Sequence, residues 1–487
     1  GKESRYYARI QVFFRGSLGS LIIQGEILAR GLDSGLDAGR GGSLSLSAQF
    51  LEHTGVIDAR GGSGTGVING EEGGTVSFGD VNDSNSQIVI AGSVIASGGS
   101  AEAGEPGNGG TLFMRFRGGS DLLFSSLVDL SSLADGGALI AEIQGGAFLS
   151  TAQVNASGGT TNAGGSYTVT ANSKRFFTGG GSFTLQPGSI VLGGQIDLSG
   201  GSGGMLTLEI DENDNYPLAE QQPMVLFGFA DIVLRGGDGK NGGAGGEVFV
   251  RAEPAESTAS GMLVAPAPGN VRVDIDIDAR GGNAEGVNDI AGVGGAGGLF
   301  RILARTTDNA EPPSETAVTV ASGMIDVSGG DSYNATLGEN TNEGGRIIVV
   351  SDAAPVDVAG EKIARGGADR GVAGVGADGG DIAIVGIGSL AVPSLDLSGG
   401  NGAFWGGDGG RLSTFSAAVS VSGRMDGGDA DPLVPASEGG AIGSIRVEGV
   451  DGVDGAPADP VVLDIEREPG TGQTSREPES ADQINGV

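Results

Sequence analysis

The stretch Asp211-Glu212-Asn213-Asp214-Asn215-Tyr216-Pro217 sets carboxylate and amide side chains in a row, directly after the strand-like Leu206 to Ile210. Hard oxygen ligands held close together on a turn are what Ca²⁺ requires, which makes Asp211, Asn213 and Asp214 the candidate metal ligands. An acidic turn inside an insertion would read the same way. Gly236 to Gly243 places Asp238 among glycines but lacks the short iteration of a calcium-binding repeat, and is read as a corner loop. A second acidic theme is the Asp shortly before a Gly-Gly pair: Asp58, Asp197, Asp278, Asp326, Asp396 and Asp426. If copies stack, like charges meet, as with Asp278 over Asp326, and such pairs are destabilising. Arg280, a bound cation or hydrogen bonds from the glycine-loop amides would relieve them. Nucleophilic catalysis finds little support. A Ser-His-Asp set would need the only histidine, His53, which has no nucleophile-elbow motif nearby and is read as a surface residue. Carboxylates are too widespread to nominate a catalytic pair, so no catalytic residue is assigned and no enzyme is expected. Asn82, Asn155 and Asn334 lie in Asn-x-Ser/Thr sequons.

The elements that would carry these residues repeat along the chain. Val271, Val273, Ile275 and Ile277 alternate with Arg272, Asp274, Asp276 and Asp278, the period of two of a half-buried strand. Ile277-Asp278-Ala279-Arg280-Gly281-Gly282 then passes through a glycine-rich loop to Gly297-Gly298-Leu299-Phe300-Arg301-Ile302-Leu303. The same phrase returns from Ile57 to Phe78, Val94 to Met114, Val154 to Val169, Ile196 to Leu208, Ile325 to Val349 and Leu395 to Thr414. Roughly twelve copies, spaced by roughly 20 to 50 residues, are the signature of a repeat architecture. One strand–loop–strand unit cannot bury its apolar side alone, so the units must stack. The expected fold is an all-β parallel solenoid, with glycines supplying positive-φ corners. Ile88 to Ile90, Phe183 to Leu185, Ala317 to Val320 and Ala418 to Val421 are candidate third strands. Asp211 to Pro223, Glu253 to Pro268 and Thr306 to Ser314 are candidate insertions.

Two resemblances follow from these residues. Ile-Asp-Ala-Ser/Arg-Gly-Gly followed by Gly-Gly-x-aliphatic resembles the glycine-rich parallel β-helix (pectin-lyase-like) surface and fibre proteins of bacteria, over most of Ile27 to Val447. That resemblance implies a right-handed β-helix. Asp211 to Pro217 resembles the calcium-binding linker of cadherins, which implies Ca²⁺ as a cofactor at that one motif.

Composition narrows the function classes. The 487 residues include no cysteine, which excludes disulfides, thiolate metal sites and covalent c-type haem, so no haem is expected. A formal net charge of −34 argues against nucleic acid as a partner. It fits an extracellular setting, and equally the solubility of a long repeat protein. No apolar run is long enough to span a membrane. Gly1 in place of Met is read as the start of a processed, secreted chain.

The ends differ from the middle. Residues 1–25 hold the aromatic strand Tyr6-Tyr7-Ala8-Arg9-Ile10-Gln11-Val12-Phe13-Phe14, either a cap on the first coil or a segment that pairs with another subunit. Residues 26–450 form the solenoid, and 451–487 an acidic, extended C-terminal tail with one strand at Val461-Val462-Leu463-Asp464-Ile465. The expected contact residues are Tyr6, Tyr7, Ile10, Val12, Phe13, Phe14, Val461, Val462, Leu463 and Ile465, since a neighbouring subunit is the simplest thing to hold such a tail. A contact of this kind need not close, and an open one makes a filament. The expectation is therefore a self-assembling structural subunit of an extracellular filament or surface layer. A glycan-binding adhesin and a β-helix polysaccharide-degrading enzyme are the alternatives.

Overall fold

The computed structural model describes residues 9–13, 19–79, 87–117, 121–172, 189–211, 224–252, 270–285, 291–304, 318–320, 323–333, 342–351, 356–371, 374–387, 389–448, 461–476 and 482–485. Among these residues there is no helix, and the long sheets are parallel throughout, as a solenoid requires. The chain divides into two compact units, one built from Gly1–Gly200, Gly204–Ile232 and Arg251–Gly269, the other from Gly201–Gly203, Val233–Val250 and Asn270–Val487.

The first five coils of the first unit each have three strands and a glycine flap, and in the coil that starts at Ser166–Asn172 the second and third strands run together as Ile190–Asp197. One coil runs Thr111–Phe116, then Leu122–Phe124, then Leu127–Asp129, before residues 130–137 loop out and return to Ala138–Gln144 of the next coil. The first strands stack in chain order from Arg9–Phe13 through Ser43–Ser47, Thr75–Gly79, Thr111–Phe116, Ala138–Gln144 and Ser166–Asn172 to Met205–Asp211. The second and third strands of each coil stack likewise to form the other sheet. The second unit repeats the plan, with Leu299–Ala304, Arg346–Ser351, Asp381–Val385, Arg411–Phe415, Ser444–Glu448 and Gln483–Asn485 stacked in order. The third strands expected at 88–90, 317–320 and 418–421 are present as Gln87–Ile90, Val318–Val320 and Ala418–Arg424. Phe183 to Leu185 and nearly all of the three candidate insertions lie outside the described residues.

Period-two alternation decides which side faces in. Leu44, Val76, Leu112, Leu139, Tyr167 and Leu206 occupy one register position on successive coils, and all are buried. Phe300, Ile347, Ile382, Leu412 and Ile445 form the equivalent column in the second unit. Each fully buried side chain in such a column contributes about 1.5–3 kcal/mol of transfer free energy.

The flaps differ from the expectation. Positive φ occurs, among described glycines, at Gly66, Gly145, Gly194, Gly360 and Gly423, and none of these is in a Gly-Gly pair of a flap. What the pairs supply is close approach. In the coil that leaves the sheet at Ala59 and returns at Gly74, the Gly74 N–H donates to Ala59 O at 2.6 Å. Gly62 donates to Gly39 O of the preceding coil at 2.8 Å, while Gly61 and Gly73 donate to Ser97 O and Asn108 O of the following coil at 3.0 and 2.9 Å. Each leg is thus bonded in several directions instead of the two of a sheet. A Cβ on Gly73 would lie 1.9 Å from Ala96 O and one on Gly61 1.9 Å from Glu71 O, distances that no side chain tolerates. The Cα hydrogens occupy that space, facing carbonyl oxygens as weak C–H···O donors.

Gly25, by contrast, has open space where a Cβ would go. Gly73→Ala is therefore expected to destabilise the protein by about 3 kcal/mol, and Gly25→Ala by less than about 0.5 kcal/mol. Urea midpoints and amide exchange in the adjoining flaps check both; equal effects at the two positions would refute the close-approach account.

Candidate functional site

The repeated Asp before the flap is a local cap. Asp129, Asp197, Asp326 and Asp396 each accept the backbone N–H two residues on, from Ser131, Ser199, Ser328 and Ser398, at 3.0–3.1 Å. The carboxylate starts the flap by satisfying an amide that leaves the sheet. Asn155 does the same toward Ser157, with a 2.8 Å bond from its hydroxyl, so this sequon side chain is engaged in its own turn. Asn82 and Asn334 lie outside the described residues.

Stacking does bring Asp278 and Asp326 into register. Arg280 spans them, with Nη2 2.6 Å from Asp278 Oδ2 and Nε 3.6 Å from Asp326 Oδ2. Burial pushes the Asp278 pKa up, but the hydrogen bonds and charge of Arg280 outweigh it and hold the carboxyl below the usual range. Asp58 with Arg60 at 2.7 Å, Asp396 with Arg365 at 2.6 Å and Asp426 with Arg424 are further Asp–Arg pairs before flaps. Gly236 to Gly243 is a flap leg, with Gly236 N–H bonded to Arg280 O and Asp238 accepting from Asn283 N–H at 2.6 Å.

Of the candidate calcium ligands, Asp211 ends the strand Met205–Asp211, and Asn213 and Asp214 lie outside the described residues. Among the described residues, no group of three or more Asp, Glu, His or Cys is arranged to hold a metal ion. Ile10, Val12 and Phe13 lie on the strand Arg9–Phe13, which adds in parallel to Ser43–Ser47 of the same chain. Tyr6, Tyr7 and Phe14 lie outside the described residues. Val462, Leu463 and Ile465 lie on Val462–Glu466, paired with Ser420–Arg424, and Val461 immediately precedes it. Within 451–487, Thr474–Ser475 and Gln483–Asn485 also pair with strands of the same chain, at Glu438–Gly439 and Arg446–Glu448.

His53 corrects the expectation of a surface residue. It sits two places after Leu51 on the strand Phe50–His53, so the alternation that buries Leu51 also buries His53. Its column neighbours are Ile23 and Ile90, its ring lies 5.6 Å from that of Phe78, and neither ring nitrogen has a hydrogen-bond partner among the described residues. It packs as a core residue.

The sequence reading missed a column of carboxylates in the second unit. Glu343, Asp378 and Asp408 each stand immediately before a Gly-Gly pair, and register stacking gathers them at one cleft with Asp381, Arg411 and Ser444. The cleft measures about 240 Å³. Asp378 Oδ1 accepts Asp408 N–H at 2.7 Å, and Asp408 Oδ1 accepts Ala441 N–H at 2.8 Å. Arg476 approaches Asp408 Oδ1 to 3.3 Å while its guanidinium lies 5.8 Å from the centre of the Trp405 ring. Burial, with the charges of Asp408 and Glu343, raises the Asp378 pKa above the ordinary carboxyl value. The signal was available as an acidic residue before Gly-Gly in three successive copies, hidden by the 61 acidic residues elsewhere.

No family model, curated protein or solved structure matches the chain.

Burial lowers the His53 pKa from 6.5 to about 4, because the charged ring cannot be solvated there. The unfolded chain binds the proton first, so this contribution to stability is complete above pH 6.5, is lost as pH falls, and declines no further below about pH 4. The loss is at most roughly 3 kcal/mol. Urea midpoints measured from pH 7 to pH 4 should fall less steeply for His53→Leu than for the wild type; parallel curves would refute the assignment.

Proposed function

We propose that the protein is a secreted structural subunit of an extracellular filament or surface layer, in which terminal coils of one copy stack on those of another. The observation that supports this reading is how the core columns finish. Leu51 and Ile57 are fully buried, whereas Leu21 and Ile27, their register partners one coil earlier, are half-buried. At the other end Val421 is buried, whereas its partner Leu463 is half-buried and Val462 is 52% exposed. Among the described residues, the apolar positions that interior coils bury are less buried on these coils, beside strand edges spaced to take a further parallel strand. The lack of cysteine and the acidity support an extracellular setting.

Negative-stain microscopy of the purified chain, with and without residues 1–20 and in Ca²⁺ or chelator, tests this reading. Filaments that disappear on truncation are expected, and loss in chelator would bring Ca²⁺ into the contact. Uniform single particles under every condition would refute it.

The acidic cleft favours a second reading, a surface protein that binds or degrades glycans. A carboxyl with a raised pKa beside further carboxyl groups is the pairing that glycoside chemistry uses, with Asp378 as proton donor. On that reading polysaccharide binding or cleavage is measurable and Asp378→Asn lowers the cleavage rate by roughly 100-fold or more. A glycan panel with no binding and no released sugar would exclude it.

A further inference from the structure

The outward face of the long-strand sheet in the second unit combines arginine with aliphatic side chains, in a chain that is acidic overall. Residues alternate in and out along each strand, so Leu299, Arg301 and Leu303 share the outer face with Arg346, Ile348 and Val350 of the next coil. Asp381, Ala383 and Val385 follow, and then Arg411, Ser413 and Phe415. These twelve positions hold three exposed arginines against Asp381 alone, in a protein with 27 basic and 61 acidic side chains. Leu303, Val350 and Val385 stack as an aliphatic column that ends at Phe415, which is 39% exposed. The carboxylates of the cleft border this face at the flap root.

We infer that this face pairs with the same face of a second copy, about a twofold axis that runs along the strands between the coils of Arg346 and Asp381. Such an axis keeps the strand direction and reverses the order of coils. Arg346 then faces Asp381 of the second copy and Asp381 faces its Arg346, the reciprocity that an isologous contact requires. Ile348 meets Ala383, Val350 meets Val385, and Leu303 meets Phe415, so apolar faces apolar along the column. Leu299 meets the aliphatic stem of Arg411, and Arg301 meets Ser413. Neighbouring registers fail on charge. An axis through the coil of Asp381 sets Asp381 on itself and Arg346 on Arg411. An axis one coil further on sets Ile348 on Arg446 and Val350 on Glu448. A twofold axis along the stack, through the middle of the face, sets the arginine column on the aliphatic one. Like-charge contacts and unpaired charges on apolar surface exclude wrong partners as firmly as good contacts select the right one.

Copies of net charge −34 repel each other, and a face of net positive charge is the place where approach relieves that repulsion. Arginine and aromatic side chains are also what protein interfaces favour. With coils about 4.8 Å apart, the face covers on the order of 400 Å² per copy. A standard interface takes roughly 800 Å² from each partner, so the pair is expected to be weak, with a Kd on the order of 100 μM. The contact does not depend on end-to-end stacking.

The test uses the full chain, cleared of filaments by centrifugation, as wild type, Arg346→Glu, Asp381→Arg, an equimolar mixture of those two, and Val385→Lys. Sedimentation equilibrium reads the association, and thermal unfolding checks that each form is folded. Wild type is expected to dimerise. Arg346→Glu sets two like-charged pairs in the contact and Asp381→Arg does the same, so each alone is expected to weaken the dimer by roughly tenfold or more. In the mixture the new glutamate meets the new arginine while the native Asp381 meets the native Arg346, and affinity is expected to return to within roughly threefold of wild type. Arg346 also lies 3.4 Å from Asp381 of its own chain, but mixing cannot restore a pair within one chain. Val385→Lys is expected to abolish the dimer.

A wild type that is monomeric up to about 1 mM would overturn the inference. So would single variants that dimerise like the wild type, a mixture no tighter than its components, or a Val385→Lys form that still pairs. A monomeric wild type that binds phosphatidylglycerol vesicles would assign the arginines to an anionic lipid surface and overturn it as well. Filaments seen by microscopy from a chain without this dimer would leave the filament reading standing alone; the dimer without filaments would leave only this inference.

Discussion

The structure depends on backbones that approach closer than any side chain permits. In a sheet each strand has two hydrogen-bonded neighbours, and side chains fill the space above and below. In the flaps, the legs leaving and re-entering each coil are bonded within the coil and to the coils on both sides, and nothing but hydrogen separates their Cα atoms from facing carbonyl oxygens. Glycine carries a large conformational entropy cost on folding. Here that cost is offset by saturating the backbone groups of a long loop, which would otherwise compete for water at the surface. The flap is therefore an ordered layer of peptide groups that extends each coil beyond its apolar core.

The same economy governs charge. A chain of net charge −34 that stacks in register should set carboxylate on carboxylate, and it does at Asp278 and Asp326. Two devices make this tolerable. The Asp side chain accepts an amide two residues on, which delocalises its charge into the backbone, and an arginine two residues on or one coil away bridges to it. Along the first residue of the long strands, Arg346, Asp381 and Arg411 alternate in sign on successive coils. The acidic cleft at Asp378 departs from this pattern, because three successive carboxylates before Gly-Gly gather there and Arg476 pairs with Asp408.

Much of the fold was legible in the residues. The alternation around Val271 to Asp278, and its recurrence beside Gly-Gly, are local properties that stacking only multiplies. The Arg280 bridge was legible for the same reason, since register follows from the repeats themselves. What was not legible depended on the third dimension. His53 was misread because its polar type was weighed above its place in the alternation, two residues after the inward Leu51. The reason for the glycine pairs was misread because a glycine needed for φ and a glycine needed for proximity are the same letter. Residues 451–487 looked like a tail because proline and acid dominate them, while the pairing of Val462–Glu466 with Ser420–Arg424 rests on an edge distant from view in a linear reading.

The close backbone contact at the paired glycines of adjoining flaps has an evolutionary consequence. Surfaces made of side chains are particular to their partners, so removing or copying one element leaves mismatched neighbours. A glycine leg presents the same peptide groups to whatever leg adjoins it. A gene segment encoding one whole coil can then be duplicated or lost by recombination, and the coils newly brought together meet through a surface they already share. In such a lineage copy number becomes a heritable variable that selection can tune directly, while substitutions at the paired glycines are purged.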